Sequence, residues 1–174
     1  ARVHDFHFWS MSGTYLDFPG HIRETDDGGD CWPLARLYRV ETAVLQLDRA
    51  DGSGGISAAE LAAAGPAPVR GGALLINALG RRRFDAIEPQ SVYLRADAAD
   101  WIARSGIRLL VSDVYESHAE PQNVFYRLFA RRVAAVCQPV RLHRVRAPRV
   151  RLTVLPLVLP GATQLPCRAA AEWD

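Results

Sequence analysis

Two short apolar runs constrain the fold of this chain more than any other feature: "GGALLINAL", Gly71 to Leu79, and "IRLLVSDV", Ile107 to Val114. Each has the length of a strand and is bounded by turn residues, so each reads as a buried strand. Between them, Asp97 to Ser105 has helical spacing, and Gly106 stops the helix in the usual way. Upstream, "RVETAVLQLDR", Arg39 to Arg49, is a further strand closed by the turn "ADGSGG". Ser57 and Glu60 then spell a capping box that opens a short Ala-rich helix, ended by Gly65 and Pro66. Pro121 to Arg132 is helical in spacing, and strands follow around Val133 to Leu142 and Val150 to Val158. Strands and helices interleave while the tail runs to strands, which predicts an α/β or α+β fold with a mixed sheet. With 174 residues the chain supports one core, so a single domain over 1–174 is expected.

At the N-terminus, "VHDFHFWSMS", Val3 to Ser12, alternates as a half-buried strand does, and Gly13 to His21 reads as a loop. The segment "SMSGTYLDFPGH", Ser10 to His21, sets a carboxylate, Asp17, and an imidazole, His21, four residues apart around Pro19. Neither strand nor helix patterning requires that arrangement. Asp17 and His21 are therefore candidate functional groups on a stiff turn, against the alternative that they cap and pack the loop.

Composition narrows the chemistry. All 21 basic residues are Arg, which removes a lysine Schiff base or lysine general base from consideration. The net charge of +2 gives no field for steering nucleic acid. No stretch reaches the roughly 18 apolar residues that span a bilayer, so a soluble, cytoplasmic protein without membrane partners is expected. Cys31, Cys137 and Cys167 contain no Cys-x-x-Cys pair, and reduced thiols are the expectation. "DDGGD", Asp26 to Asp30, is a turn without the carboxylate spacing of a calcium loop.

"GTYLDFPGH", taken with "GGALLIN", "WIARSGIRLLVSDV" and "LPLVLPGATQLPCRA" in the same order, resembles the cyclase and kynurenine formamidase family, which includes isatin hydrolase. The resemblance covers nearly the whole chain. It implies a swivelling β/β/α domain, a metal-dependent hydrolase or cyclase chemistry and a homo-oligomer, and it implies that a family portion preceding the signature is missing here. The family signature is H-x-G-T-H-x-D-x-P-x-H, in which two His and the Asp bind the first metal and the last His moves protons. On this chain the leading His positions fall on Met11 and Tyr15, the Asp on Asp17 and the last His on His21. The family's later metal-binding His and bridging Glu fall near Phe125 and Cys137. Four of the five ligand positions are altered, so no metal cofactor is expected.

The resemblance therefore implies a cyclase-family enzyme working without metal on a small aromatic or polyketide-like carbonyl compound. His21 would transfer the proton, Asp17 would orient it, and Tyr15 would steady a developing oxyanion. Trp9, Phe18, Trp32 and Phe125 are the candidate substrate-binding residues. One alternative is a pseudoenzyme that binds in the old pocket. Another is an amide or lactone hydrolase with relocated zinc or manganese ligands, drawn from Asp17, His21, His118 and Cys137 with Glu116 and Glu120 nearby. Arg141, His143, Arg144, Arg146, Arg149 and Arg151 form a basic stripe, read either as an anion site or as the solvated face of a strand hairpin. Nucleic acid is not an expected partner, and a small-molecule substrate is.

Overall fold

A computed structural model describes residues 1–22, 27–49 and 54–173. Seven strands close into one barrel. In chain order they are β1 (Tyr15–Asp17), β2 (Val40–Gln46), β4 (Ala73–Asn77), β6 (Leu109–Ser112), β7 (Ala134–Cys137), β8 (Arg149–Pro156) and β9 (Gln164–Glu172). Two short strands, β3 (Gly54–Ile56) and β5 (Val92–Leu94), pair separately in parallel. Around the barrel the order is β1-β7-β6-β4-β2-β8-β9, and β1 pairs with β9 to close it. Neighbours from β2 through β4 and β6 to β7 are parallel; the remaining pairs are antiparallel. The mixed sheet expected from the sequence is thus a closed mixed barrel.

Side-chain alternation sorts the strands into two cores. Leu16, Leu75, Val111, Val136, Leu152 and Val154 belong to a cluster with no member from an α-helix, which fills the barrel. Their strand neighbours Tyr15, Leu74, Ile76, Leu110 and Cys137 face outward into a second cluster with Leu61, Ile102 and Phe129. Those last three sit on α1 (Ala58–Ala63), α2 (Ala96–Arg104) and α3 (Val124–Phe129), which cover the outside. Strands β4 and β6 are buried along their whole length because the barrel covers one face and the helices the other.

Local signals fix the helix ends. Ser57 Oγ accepts from Glu60 N at 3.3 Å and Glu60 Oε2 accepts from Ser57 N at 3.0 Å, forming the capping box expected for α1. Gly106, with φ +83°, ends α2 in a conformation that Cβ-bearing residues resist.

Two expectations fail. Residues 3–12 form no strand: Val3, Phe6, Phe8 and Trp9 are exposed, and the alternation has no partner strand among the described residues. The strand lies instead at Tyr15–Asp17, inside the expected loop, because that segment pairs with both β7 and β9 and so seals the barrel. Nor do residues 133–158 form a hairpin. Strands β7 and β8 are not neighbours, and the chain between them turns through a short 3-10 helix at Leu142–Arg144. The basic stripe is therefore broken into a turn and a strand. The expected turn at 50–55 falls largely on 50–53, outside the described residues, as does Asp26 of "DDGGD".

Candidate active site

The short strand β1 ends at Asp17, and Pro19 then opens a 3-10 turn, Pro19–His21. Proline suits the first helical position because its fixed φ matches and its missing N–H is not needed there. Phe18, before it, is extended at φ −97°, ψ 155°, as a residue preceding proline prefers. His21 N donates to Phe18 O at 3.0 Å, and the tight turn carries the His21 ring back over Asp17. This answers why carboxylate and imidazole flank a proline: a strand end plus one turn brings them into contact.

His21 Nδ1 lies 3.0 Å from Asp17 Oδ1 and 3.2 Å from Oδ2. The Oδ1 contact has ion-pair distance without the alignment of a hydrogen bond, and Oδ1 has no hydrogen-bond partner among the described residues. Gln164 on β9 sits opposite Asp17 in the barrel register. Its Nε2 donates to Asp17 Oδ2 at 3.3 Å and lies 3.0 Å from His21 Nδ1. With Asp17 as the acceptor at Nδ1, the proton is assigned there and Nε2 keeps its lone pair; Gln164 Nε2, itself a donor, then serves the Asp17 carboxylate and not the ring. The His21 side chain is 39% exposed, so this nitrogen is on an accessible edge. Burial raises the Asp17 carboxyl to about 6, against the lowering influence of His21 and Gln164.

Outward-facing Tyr15 and Cys137, directly paired across β1 and β7, line a cavity of about 610 Å³. Phe84, Asp113, Tyr115 and Phe125 line it too. Tyr115 stacks on Phe125 with centroids 4.9 Å apart, and its hydroxyl donates to Val136 O at 2.8 Å. Burial pushes the Tyr15 phenol and the Cys137 thiol well above their ordinary values, and the nearby Asp17 charge adds to both shifts. Both groups therefore stay protonated near neutral pH. An apolar, aromatic cavity with a few convergent polar groups is the usual form of a small-molecule site.

Asp113 is a site residue that the sequence showed only as a strand end. Its carboxylate accepts from Ala78 N at 2.9 Å and Leu79 N at 3.1 Å. Burial nevertheless pushes the group up to about 6, overcoming those hydrogen bonds, which act to lower it. A folded pKa above the ordinary carboxylate value contributes stability below about pH 4 and loses it as pH rises through about 6. Wild-type protein is expected to lose about 2 kcal/mol from this group between pH 4 and pH 7. Asp113→Asn lacks that component, so its urea-unfolding free energy should fall less over the same interval. Identical pH dependence in the two proteins would contradict the assignment.

The donor set does not fit a catalytic metal. Of the five positions that the family resemblance assigns to metal, Asp17 and Cys137 alone carry usual ligands: Tyr15 is a phenol, Phe125 is a hydrocarbon, and Met11 is 49% exposed on the N-terminal segment. Catalytic zinc ordinarily takes three protein ligands. Among the described residues no group of three or more His, Cys, Asp and Glu is placed to hold an ion. The relocated set does not converge either: Glu116 accepts from the backbone N–H groups of Gln122 and Val124 at the start of α3, and His118 is exposed.

The other candidates separate by face. Phe18 and Trp32 pack together in the barrel cluster, centroids 5.6 Å apart, and Trp32 Nε1 donates to buried Asp27 at 3.0 Å. Trp9 is 85% exposed. Phe125 alone of the four aromatic candidates lines the cavity, while Asp17 and His21 border it through Tyr15 without lining it. Gln164 was invisible locally, because only strand register places it.

A family model described as "Putative cyclase" matches residues 2–118. No curated protein matches the sequence. Among solved structures, one described as a potential metal-dependent hydrolase with cyclase activity is similar at TM-score 0.78 and 21% identity, covering 95% of this chain and 80% of that one. An isatin hydrolase bound to the product analogue thioisatinate gives TM-score 0.77 and 18% identity, covering 95% and 72%. Isatin hydrolase A from Labrenzia aggregata, bound to benzyl benzoate, gives 0.75 and 18%, covering 93% and 73%. Barrel, signature turn and family model agree, and the chain belongs to the cyclase family.

Proposed function

We propose that this chain is a cyclase-family enzyme that moves a proton on a small aromatic or polyketide-like carbonyl compound without a metal. Family membership supports an enzyme of cyclase or hydrolase type. The observation that carries the metal-free reading is the pairing of Asp17 with His21 Nδ1 beside a cavity where the family's ligand positions hold a phenol, a phenyl ring and a single thiol. The substrate ring lies against Phe125 and Tyr115, and its carbonyl oxygen takes a hydrogen bond from the Tyr15 phenol. His21 Nε2 accepts a proton from the carbon or heteroatom beside that carbonyl and returns it, while Asp17 stabilises the imidazolium. A soluble homo-oligomer belongs to this reading through the family resemblance.

The test is turnover of a panel of aromatic lactams, lactones, formamides and diketones by protein stripped with a strong chelator. Activity is expected to persist after stripping and to remain within about twofold on adding zinc or manganese. Activity that appears only with added metal overturns the reading.

One observation favours a second reading, a binding protein without chemistry: neither Asp17 nor His21 lines the cavity. It predicts that ring compounds bind in the cavity, that Phe125→Ala weakens them, and that no member of the panel is turned over.

A further inference from the structure

A second cavity, of about 290 Å³, lies on the other side of Phe84 and Asp113, which line both. Its wall draws on two distant segments: Arg81, Arg82 and Arg83 after β4, and Arg141 and His143 after β7. These are the "RRR" run and the first part of the basic stripe. The barrel order, with β4 and β7 flanking β6, brings them to one opening.

The balance of charge at this opening is strongly positive. Arg83 is bound by Asp85 through Nε at 2.9 Å. Asp113 is already held by two backbone N–H groups. Arg81 and Arg141 have no ion-pair partner among the described residues, and both reach the cavity wall. Arg141 is held at φ +64° and Gln138 at φ +51°, a left-handed backbone that non-glycine residues seldom adopt. Such strain requires surrounding structure to maintain it, and here it fixes where the Arg141 side chain departs.

A second, independent feature is Asn77 at the end of β4, which is 3% exposed and also lines this cavity. Its Nδ2 donates to Gln46 Oε1 at 2.7 Å, and Gln46 Nε2 in turn donates to Val145 O at 2.6 Å. That chain of bonds fixes the amide orientation and leaves Oδ1 buried with no hydrogen-bond partner among the described residues. Buried carbonyl oxygens rarely remain unpaired. Oδ1 has no surface that a water-sized group in the cavity could reach, so Asn77 contributes a fixed floor and the guanidinium groups select the occupant.

We infer that this cavity is a binding site for a small carboxylate or phosphate anion, held by Arg81, Arg141 and His143. Guanidinium forks suit both carboxylate and phosphate oxygens. The site does not depend on the chemistry proposed for the larger cavity, although Phe84 and Asp113 make the two adjacent.

The test is calorimetric titration of the intact chain with malate, succinate, inorganic phosphate and dimethyl malate in low-salt buffer. Malate, succinate and phosphate are all expected to bind, since each offers anionic oxygens to the guanidinium forks. Dimethyl malate should not bind, and raising salt should weaken malate. Arg81→Gln combined with Arg141→Asn, both at exposed positions, should weaken malate and phosphate by about tenfold or more at unchanged melting temperature. Absence of any anion binding below about 10 mM, or affinity unaltered by the double substitution, overturns the site.

Discussion

His21→Ala is expected to lower kcat by about 10²- to 10⁴-fold on any substrate the wild-type protein turns over, the usual contribution of one positioned acid–base group. The expectation follows from geometry. Nδ1 is held by Asp17, whose carboxylate Gln164 holds in turn, so the ring is fixed and Nε2 is the nitrogen free for substrate. Because the side chain is 39% exposed, its removal opens little buried space, and the melting temperature should change by no more than a few degrees. His21→Gln, which keeps a hydrogen-bonding end but cannot accept and release a proton at neutral pH, should be almost as inactive. Turnover that survives in His21→Ala, with substrate binding intact, would remove proton transfer at this residue and leave the Tyr15 cavity as the place to look.

Phe18→Ala, three positions away, should do the opposite. Phe18 is fully buried, its ring tilted against Trp32 at 5.6 Å. Truncating a buried phenylalanine costs about 3–5 kcal/mol through lost transfer free energy and the cavity left behind. Against total stabilities of about 5–15 kcal/mol this is a large fraction, and for a chain of this size it corresponds to a fall of about 6–20 °C in Tm. Phe18→Leu, which preserves most of the volume, should recover more than half of the loss. A variant with near-normal Tm and a raised KM would instead place Phe18 against substrate, the role suggested by its position in the signature. Together the two substitutions separate the inner and outer faces of one short turn.

Much of the fold was legible because its signals are local. The apolar runs of β4 and β6, the capping box of α1 and the glycine that ends α2 each depend on residues within a few positions of one another. The candidate site was legible only in part. The contact of Asp17 with His21 follows from a strand end, a proline and one turn, so sequence spacing carries it. Gln164, Asp113 and the cavity that joins Tyr15 to Phe125 carry no local mark. They meet because β1 lies between β7 and β9 and because α3 packs over the outward face.

The two failures share a cause. Alternation at 3–12 has the period of a strand, yet a strand forms only where a partner edge is available, and the free edges were taken by Tyr15–Asp17. The stripe at 141–151 has the same period, but its first residues turn away through a 3-10 helix before β8 begins. By itself, the sequence determined the capped start of α1, the end of α2, the buried strands β4 and β6 and the Asp17–His21 contact, since these arise from steric and hydrogen-bonding preferences of neighbouring residues; the helix expected over 121–132 is shorter, Val124–Phe129. Only the tertiary structure decided which strands close the barrel, which face each site residue occupies and that two arginine segments share one opening. Strand pairing is a competition among edges far apart in sequence, and local preferences do not determine its outcome.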